Sequence, residues 1–514
     1  MKRIFTLLFF SIVAFGLNAQ VRYVDEIFTE VAVETDIVYA NNISVLTGAP
    51  LPGDILLDVY TPVGDTVTDR PLIKVFHTGN FLPQLVNGQI NGNKNDPYVV
   101  DMIERLVRRG YVVASLDYRL GWNPISPDQD VRTETLINAA YRGVQDSHAA
   151  TRFFRKSVEE GNPYGISGDA IVNWGVGTGG YITLGAGAID EYQDVVLPKF
   201  ITSAQVPMVI EAVHGDPFGE MEAAINIPNH VGFSNDINLT VNMGGALGDT
   251  TWLTEGDAPI LSYAVPTDPF APYNTDFLIV PTTGDLVVEV SGSFDLQTTA
   301  HALGLNDIFD QATFDDPWTA SANQNNNGLE GLYPFIRPSW DLDGDPNTPP
   351  AEESSPWDWW DVAFWSTQQP AECGGAPIEQ CNWDLISRAN NPDASFEKGT
   401  TYMDSIINHF APRACIALDL PCAADYITSV EDIDLDPSIM SVYPNPAATH
   451  IKVEAKGENI ESIAIFAIDG QLMTRRTNVN SESITIQRNN LPTGIYFVKA
   501  FFDKGVATQK VVFE

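Results

Sequence analysis

Apolar runs and amphipathic segments alternate along most of the chain. Runs such as ILLDVYTP, PLIKVF and YVVASL have the composition of buried strands. Between them, DMIERLVRRG and TLINAAYRGVQDSHAATRFFRKSV carry apolar residues at three- and four-residue spacing, which is typical of amphipathic helices. The first of these helices is predicted to end at Gly110. Strands that alternate with helices predict an α/β fold, with a mostly parallel sheet between flanking helices.

The pattern changes near the C-terminus. From Ser441 to Glu514 the chain consists of short segments rich in β-branched and aromatic residues, separated by turns such as Asp-Gly and Pro-Thr-Gly. This stretch predicts a small antiparallel β-sandwich of about seven strands. Residues 425–440 (DYITSVEDIDLDPSIM) are acidic and lack periodicity, and we interpret them as a linker. The predicted α/β domain therefore spans residues 21–424.

The first 20 residues have the organisation of a secretory signal peptide. Lys2 and Arg3 are followed by an apolar run and by Ala19, a small residue suited to cleavage. No later segment reaches about 18 uninterrupted apolar residues, so no transmembrane span is predicted in the mature chain. The sequence thus predicts an exported protein.

The net charge of the chain argues against negatively charged binding partners. The formal net charge is -39, and it is unevenly distributed: the chain carries 8 Lys/Arg and 7 Asp/Glu from Ser438 onward, leaving 20 and 60 in residues 1–437. A strongly negative surface repels phosphate groups, so nucleic acid and anionic lipid are excluded as partners. We interpret the charge as favouring solubility.

Four cysteines are compatible with export. Cys373 lies close to Cys381 in sequence, and Cys415 lies close to Cys422. Two local disulfides are the simplest of the three possible pairings. Neither spacing resembles that of a zinc knuckle.

The segment NWGVGTGGY (Asn173 to Tyr181) predicts a strand, a crowded turn and a helix. Together with LLDVYTP, VFHTGNF, RRGYVVASLDYRL and QDSHAATRFFRK, it resembles the carboxylesterase and lipase branch of the α/β-hydrolases. VNMGGALGDTTWLTEGDAPILSYAVPTDPFAPY continues the resemblance, which covers roughly residues 54–273. The family needs no cofactor, and its reaction uses a serine nucleophile, a histidine base, an acid and an oxyanion hole.

The resemblance assigns a position to each part of that site. Gly177 stands at the nucleophile position, where the family has serine in G-x-S-x-G, so the hydroxyl is missing. His77, Thr78 and Gly79 stand in the oxyanion-hole loop, and Thr178 would offer the second backbone N–H group. Asp268 stands at the acid position. Thr178 is the alternative nucleophile.

The histidine base is also missing from its expected place. We expect it on the loop after the acid and one further strand, and IFDQATFDDPWTASANQNNNGLEGLYPF in that region contains none. Three histidines follow Asp268. His301 falls in a predicted helix, His409 in the last predicted helix, and His450 in the C-terminal domain. Folding of the loops could still bring His301 or His409 to the site.

The C-terminal stretch resembles the sorting domain of the type IX secretion system of Gram-negative bacteria. The resemblance rests on YPNP, IFAIDGQLM, LPTGIYFVKA and QKVVFE between residues 441 and 514. It implies recognition by the type IX secretion machinery, passage across the outer membrane, and release or attachment at the cell surface.

DLDGDPNT is a candidate metal loop. Asp341, Asp343, Asp345 and Asn347 alternate along it, and oxygen ligands at this spacing suit a structural calcium ion. A solvated acidic loop is the alternative, because the pattern of a complete EF-hand is absent.

Two functional hypotheses follow. The first is an exported α/β-hydrolase-like protein with a degenerate triad that is non-catalytic and acts in binding or surface interaction. The second is an active carboxylic ester hydrolase with an atypical nucleophile, acting on esters of a polysaccharide or polyester. An extracellular ester, polysaccharide or protein ligand is compatible with the first, and a structural surface-layer component is a third possibility.

Overall fold

The computed structural model describes residues 20–279, 284–341, 350–427, 435–468, 472–476, 479–488, 491–502 and 505–514. The chain divides into two compact units, one ending at Tyr426 and the other beginning at Ile427. The predicted signal peptide lies, except for Gln20, outside the described residues.

The first unit contains ten described strands and nine described α-helices. The strands are β1 (Val31–Ser44), β2 (Leu51–Pro62), β3 (Arg70–Phe76), β4 (Val112–Leu116), β5 (Ile166–Val176), β6 (Leu239–Met243), β7 (Ile260–Ala264), β8 (Asp276–Ile279), β9 (Leu286–Val290) and β10 (Leu332–Pro334). The helices are α1 (Pro97–Arg108), α2 (Gln129–Glu159), α3 (Thr178–Ala188), α4 (Glu211–His214), α5 (Ser293–Ala302), α6 (Pro317–Ala322), α7 (Val362–Trp365), α8 (Trp383–Ser387) and α9 (Phe396–Ala417).

Eight of these strands form one sheet in the order β1-β2-β4-β3-β5-β6-β7-β10. β2 is antiparallel to both of its neighbours, and the pairs from β4 to β10 are parallel. β8 and β9 form a separate antiparallel hairpin. This strand order is that of the α/β-hydrolase fold, so the predicted fold class is confirmed.

Helices cover both faces of the sheet. Successive side chains of a strand point to opposite faces. On β5, the ring of Trp174 lies 4.7 Å from that of Phe410 on α9, whereas the amide of Asn173 lies 3.4 Å from the hydroxyl of Ser147 on α2. The central strands are therefore buried on both sides, which explains their nearly continuous apolar composition.

The α1 helix illustrates how the sequence pattern becomes packing. Pro97 occupies its first turn, where the absent N–H group costs no helical hydrogen bond. Its buried stripe consists of Tyr98, Val99, Met102, Ile103, Leu106 and Val107. The chain leaves the helix through Gly110 at φ +105°, as the predicted helix end requires.

The second unit is a two-sheet β-sandwich. Its strands are β11 (Met440–Tyr443), β12 (His450–Ala455), β13 (Ser462–Ala467), β14 (Leu472–Arg476), β15 (Ser483–Gln487), β16 (Gly494–Phe502) and β17 (Gly505–Phe513). They form the sheets β11-β12-β15 and β14-β13-β16-β17, with antiparallel pairing throughout. Alternate side chains such as Ile451, Val453, Ile465 and Val498 form the core between them.

The linker predicted over 425–440 is too long at both ends. The backbone oxygen of Tyr426 accepts a hydrogen bond of 2.8 Å from the N–H group of Thr313, which places this residue in the first unit. In the second unit, the N–H group of Leu435 donates to Val506 O at 2.8 Å, and β11 already begins at Met440. The linker was predicted from its acidic composition, which does not show these backbone hydrogen bonds.

Candidate active site of the first unit

The turn between β5 and α3 has the geometry of a nucleophile elbow. Gly177 separates the strand from the helix at φ +51° and ψ -113°. Its N–H group donates a hydrogen bond of 2.7 Å to Met243 O at the end of β6. The turn is crowded: a Cβ atom on Gly175 would overlap the backbone of Gly179, and one on Gly179 would overlap Phe76 O. These close approaches explain the glycine cluster.

The space beside Gly177 is occupied. A Cβ atom built on this glycine would overlap the Oγ1 atom of Thr78 and lie 2.9 Å from the Cβ atom of Thr78. Rotating the threonine side chain would move Oγ1 but leave Cβ in place. A serine at position 177 therefore requires a shift of the Thr78 backbone or of the elbow.

The loop after β3 is tied to the start of α3. Thr178 lies at the first helical position, and its hydroxyl oxygen accepts a hydrogen bond of 2.7 Å from the N–H group of Asn80. Position 79 requires glycine, because its φ is +135° and a Cβ atom there would lie 3.0 Å from Gly92 Cα. Asn80 O accepts from the indole Nε1 of Trp122 at 2.6 Å. Asn80, which sequence reasoning missed, therefore fixes this loop through both backbone groups.

His77 packs beneath the same loop. Its ring stacks on Tyr118 with 4.7 Å between centroids, and its Nδ1 atom is hydrogen-bonded to Thr78 O. Burial lowers its pKa, so the ring is neutral at pH 7. Thr78 and Thr178 thus lie at the elbow, and His77 and Gly79 belong to the loop beside it, whereas their role in an oxyanion hole stays a prediction.

Asp268 follows β7 in the position expected for the acid. Its Oδ1 atom accepts hydrogen bonds from the N–H groups of Phe270 at 2.7 Å and Ala271 at 3.2 Å. Burial raises the pKa of Asp268 to about 8, although these two hydrogen bonds lower it. A carboxyl with this pKa is mostly protonated at pH 7, whereas a triad acid must be ionised to stabilise an imidazolium.

The indole ring of Trp357 and the carboxyl of Asp268 both lie close to Gly244. A Cβ atom built on Gly244 would lie 3.3 Å from Cζ2 of Trp357 and 3.7 Å from Oδ2 of Asp268. Trp357 is completely buried. The sequence does not assign Trp357 to the site, because nothing in the local pattern relates it to Gly244, more than 100 residues earlier.

The candidate histidines lie elsewhere. His301 is exposed on α5, and His450 begins β12 in the second unit. His409 is buried in α9, where its Nδ1 atom and the hydroxyl of Tyr263 are 3.1 Å apart. Burial lowers the pKa of His409 well below its ordinary value.

The expected position of the histidine loop was wrong. The last strand of the sheet is β10, so the corresponding loop begins at Phe335 and not within 308–335. This later loop carries Arg337, whose guanidinium lies 3.1 Å from Asp393 and is also paired with Glu353. The sequence contains no histidine between Phe335 and Asn408.

A large cavity opens beside the elbow. Its volume is about 1130 Å³, and Asn80, Thr178 and Tyr181 stand at its wall nearest to Gly177. The other walls come mainly from apolar side chains of the 81–86 loop, α2, α3 and the β8–β9 hairpin, including Phe81, Leu136, Ile137, Val144, Ile189, Phe200, Phe270, Leu278 and Val288. Ligand cavities of this size and apolarity are typical of small-molecule sites.

The predicted calcium loop falls largely outside the described residues. Asp343, Asp345 and Asn347 belong to the stretch 342–349, and only Asp341 is described. Elsewhere in the described part of the chain, no group of three or more His, Cys, Asp or Glu residues is arranged to hold a metal ion.

Both pairs of neighbouring cysteines are bonded in the structure. Cys373 is joined to Cys381, with 5.8 Å between Cα atoms, and Cys415 is joined to Cys422, with 5.5 Å between Cα atoms. The second disulfide ties the end of α9 to the turn that follows it.

Comparison with known proteins identifies the second unit. Residues 441–514 match the family described as the secretion system C-terminal sorting domain. The chain carries a type IX sorting domain. It is therefore directed by the type IX secretion machinery to the cell surface or the extracellular space, as the sequence resemblance implied. Within the described residues, no helix combines the length and apolarity needed to cross a membrane.

Solved structures similar to the first unit are esterases. A truncated carbohydrate esterase from gut microbiota is 15% identical over 55% of this chain and 86% of its own, with a TM-score of 0.30. Esterase 2 of Thermogutta terrifontis with bound butyrate is 16% identical over 60% and 84%, with a TM-score of 0.32. Esterase B from Lactobacillus rhamnosis is 16% identical over 48% and 69%, with a TM-score of 0.27. No curated protein sequence matches the chain.

Proposed function

We propose that the first unit is a non-catalytic member of the α/β-hydrolase fold that binds an apolar molecule outside the cell. The observation that carries this proposal is the Thr78 side chain in the space beside Gly177. A chain that had merely lost its serine would leave that space open. Here the neighbouring loop has closed over it.

The rest of the site supports the same proposal. The N–H group of Asn80, which stands in the oxyanion-hole loop, is already bonded to the hydroxyl of Thr178. Asp268 carries a proton at neutral pH, and the ring that lies close to Gly244 together with its carboxyl is an indole and not an imidazole. Acyl transfer needs these groups to act as a unit, so the loss of any one of them removes most of the rate.

The cavity supports a binding role and favours an apolar ester or lipid-like ligand over a polysaccharide. Its walls offer few polar groups for sugar hydroxyls. Apolar side chains remain exposed around it: Leu85, Val86, Ile125 and Ile279 all line the cavity and are at least 39% exposed. Exposed apolar groups at the edge of an apolar cavity suit a ligand delivered from a lipid or polymer surface.

Hydrolysis assays test the loss of catalysis. The purified chain is incubated with short p-nitrophenyl esters and, separately, with a fluorophosphonate probe that labels activated serine or threonine. We expect neither turnover above the buffer rate nor covalent labelling. Covalent labelling of any residue, or turnover that disappears in Thr178→Ala, would contradict the proposal.

An active ester hydrolase is the second candidate, and the position of Thr178 favours it. The Thr178 hydroxyl lies at the N-terminus of α3 and at the wall of the cavity. Its oxygen accepts from Asn80, however, and none of the described histidines is bonded to it. The Thr178→Ala comparison separates this candidate from a binding protein.

A structural calcium ion at Asp341, Asp343, Asp345 and Asn347 stays a prediction. If the ion binds there, calcium should raise the melting temperature, and Asp343→Ala should remove that rise, because ligands stabilise the folded state they bind. Identical melting temperatures in calcium and in EDTA would contradict it.

A further inference from the structure

A second cavity of about 680 Å³ lies on the other side of Trp122 and Leu82, which line both cavities. It is bounded by the turn between β1 and β2, the loop that follows β3, the segment before α2, and α2 itself. Its lining includes Val45, Leu46, Gly48, Pro83, Val86, Asn123, Thr135, Asn138, Arg142, His214 and Ile225. Most of this surface is apolar, and a single guanidinium lies within it.

The guanidinium of Arg142 is buried with an incomplete set of partners. The side chain is 3% exposed, and its Nη2 atom donates a hydrogen bond of 2.5 Å to Gly121 O. Its Nε atom is buried and has no hydrogen-bond partner among the described residues. A buried donor without an acceptor is costly, and more so when it carries charge.

The nearest carboxylate already serves another arginine. Asp146 lies one turn along α2 and pairs with Arg119, whose Nε atom is 2.8 Å from Oδ1 and whose backbone N–H group is 2.8 Å from Oδ2. Arg119 and Arg142 are thus two buried guanidiniums beside one buried carboxylate. Burial and the neighbouring Arg119 lower the pKa of Arg142 to about 9, so it still carries its charge at pH 7.

A second polar group faces the same space. Asn138 lies four residues before Arg142 on α2 and therefore on the same face of the helix. It is 9% exposed, and its Oδ1 atom is buried without a partner among the described residues. Rotation of the amide by 180° would put its NH₂ group in the place of this oxygen, which makes Asn138 a second donor on the lining of the cavity.

We infer that this second cavity binds a small organic carboxylate, with Arg142 and Asn138 holding the anionic group and the apolar walls holding its body. Arginine forms charge-assisted N–H···O bonds with carboxylates, which suits a guanidinium that lines the cavity and whose Nε donor has no partner among the described residues. The net charge of -39 repels anions in general, so the attraction must arise from this local arrangement. The inference does not depend on the proposed function, since it concerns a different cavity and a different ligand class.

Calorimetric titration of the full chain with a carboxylate series tests the site. The probes are acetate, butyrate, octanoate and benzoate, and each is compared with its neutral amide. We expect at least one carboxylate to bind about tenfold or more tightly than its amide, because charge-assisted hydrogen bonds are about twice as strong as neutral ones. Arg142→Met should remove this preference, and Arg142→Lys should retain part of it.

The folding of the variants provides a second measurement. Without ligand, Arg142→Met should melt at the same temperature as the wild type or higher, since it removes a buried charge that lacks its own counter-ion. Lys156→Met is the matched control: it removes one positive charge from a partly exposed position on the same helix and should leave carboxylate binding unchanged.

Three outcomes would overturn the inference. One is that no carboxylate in the series binds more tightly than its amide. Another is that Arg142→Met binds the carboxylates as the wild type does. The third is that sodium chloride alone stabilises the wild type as much as the best carboxylate, which would make the site one for a simple inorganic anion.

Discussion

The elbow and the cavity beside it lie a few ångströms apart and differ in packing. At the elbow, Thr78 fills the space of a reactive side chain, and Trp357 and Asp268 both lie close to Gly244. In the cavity, about 1130 Å³ is left unfilled between apolar walls. Well-packed interiors rarely leave such a volume without a ligand. The difference supports the proposal of a non-catalytic binding protein, in which side chains fill the reactive positions and the volume for a ligand is kept.

The same difference separates this chain from a simple knock-out of an esterase. Replacing one serine with glycine would alter the elbow and leave the acid, the base and the oxyanion loop in place. Here each of these parts makes a different contact. Asp268 accepts from the N–H group of Phe270, Asn80 donates to Thr178, and the loop after β10 places Arg337 beside Asp393. Each variant below changes either the packed elbow or the open cavity, and leaves the other as it is.

Truncating a packed side chain should have the largest effect. Trp357→Ala removes a completely buried indole, and we expect the free energy of unfolding to fall by about 3–5 kcal/mol, since large-to-small changes leave a cavity. Ile125→Ala at the edge of the cavity, where the side chain is 80% exposed, should change it by about 0.5 kcal/mol or less. Denaturation with urea measures both.

Trp357→Phe serves as the conservative control for that prediction, because it keeps an aromatic ring in the same place. It should recover more than half of the stability lost in Trp357→Ala. Equal losses in Trp357→Ala and Ile125→Ala would remove the basis of the comparison.

Restoring a serine should be the next largest change. Gly177→Ser introduces a side chain at positive φ against Thr78, and we expect a loss of about 1–3 kcal/mol. Adding Thr78→Ala should recover most of it, so a double-mutant cycle should give a coupling of about 1 kcal/mol or more. Gly168→Ser on the same strand is the matched control, since a Cβ atom there meets nothing within 4 Å.

None of these serine variants should hydrolyse p-nitrophenyl acetate. The serine would have no imidazole to take its proton, and Asp268 is protonated at neutral pH. Turnover by Gly177→Ser, alone or with Thr78→Ala, would show that a base reaches the elbow after all.

Filling the cavity should weaken binding without affecting the elbow. The neutral apolar probe N-phenyl-1-naphthylamine should fluoresce more strongly with the folded chain, and Ala140→Trp on the α2 wall should raise its Kd by about tenfold or more. Ala302→Trp places the same ring at an exposed position of α5 and should leave the Kd unchanged. Equal affinities in both variants would place the probe outside this cavity.

Sequence patterns predict the frame of this molecule better than the contents of its site. The central strands, the α1 and α2 helices and the crowded elbow follow from local composition, because strand burial, helical periodicity and glycine crowding are encoded within a few neighbouring residues. β10 escaped recognition, since its three residues, Leu332 to Pro334, are too few to show a period.

The site itself depends on contacts that join distant parts of the chain. Thr78 and Gly177 are brought together by the pairing of β3 with β5, and Trp357 lies close to Gly244 although more than 100 residues separate them. The cavity is a region that side chains leave empty, and no residue pattern marks such a region. The missing serine and histidine could be read from the sequence, whereas the side chains that replaced them could not.

The proton on Asp268 should make the stability of the folded chain depend on pH. Its pKa is about 8 in the folded chain, against an ordinary value of about 3.9 for an unfolded aspartate. Between these values the folded state holds a proton that the unfolded state has released, so the free energy of unfolding should fall as pH rises from about 4 to about 8, by at most about 1.4 kcal/mol per pH unit for this group.

Asp268→Asn should remove that part of the pH dependence, because an amide cannot titrate. Asp96, whose pKa burial raises to about 7, adds a slope of the same sign, so Asp96→Asn is a control that should flatten the curve below about pH 7 and leave the contribution of Asp268 in place. Urea denaturation at half-unit steps from pH 5 to pH 9 compares the three chains. Equal slopes for Asp268→Asn and the wild type would mean that Asp268 is ionised at neutral pH. The acid side of the site would then still be able to support an imidazolium, and the contrast between a packed reactive centre and an open cavity would apply to the nucleophile position alone.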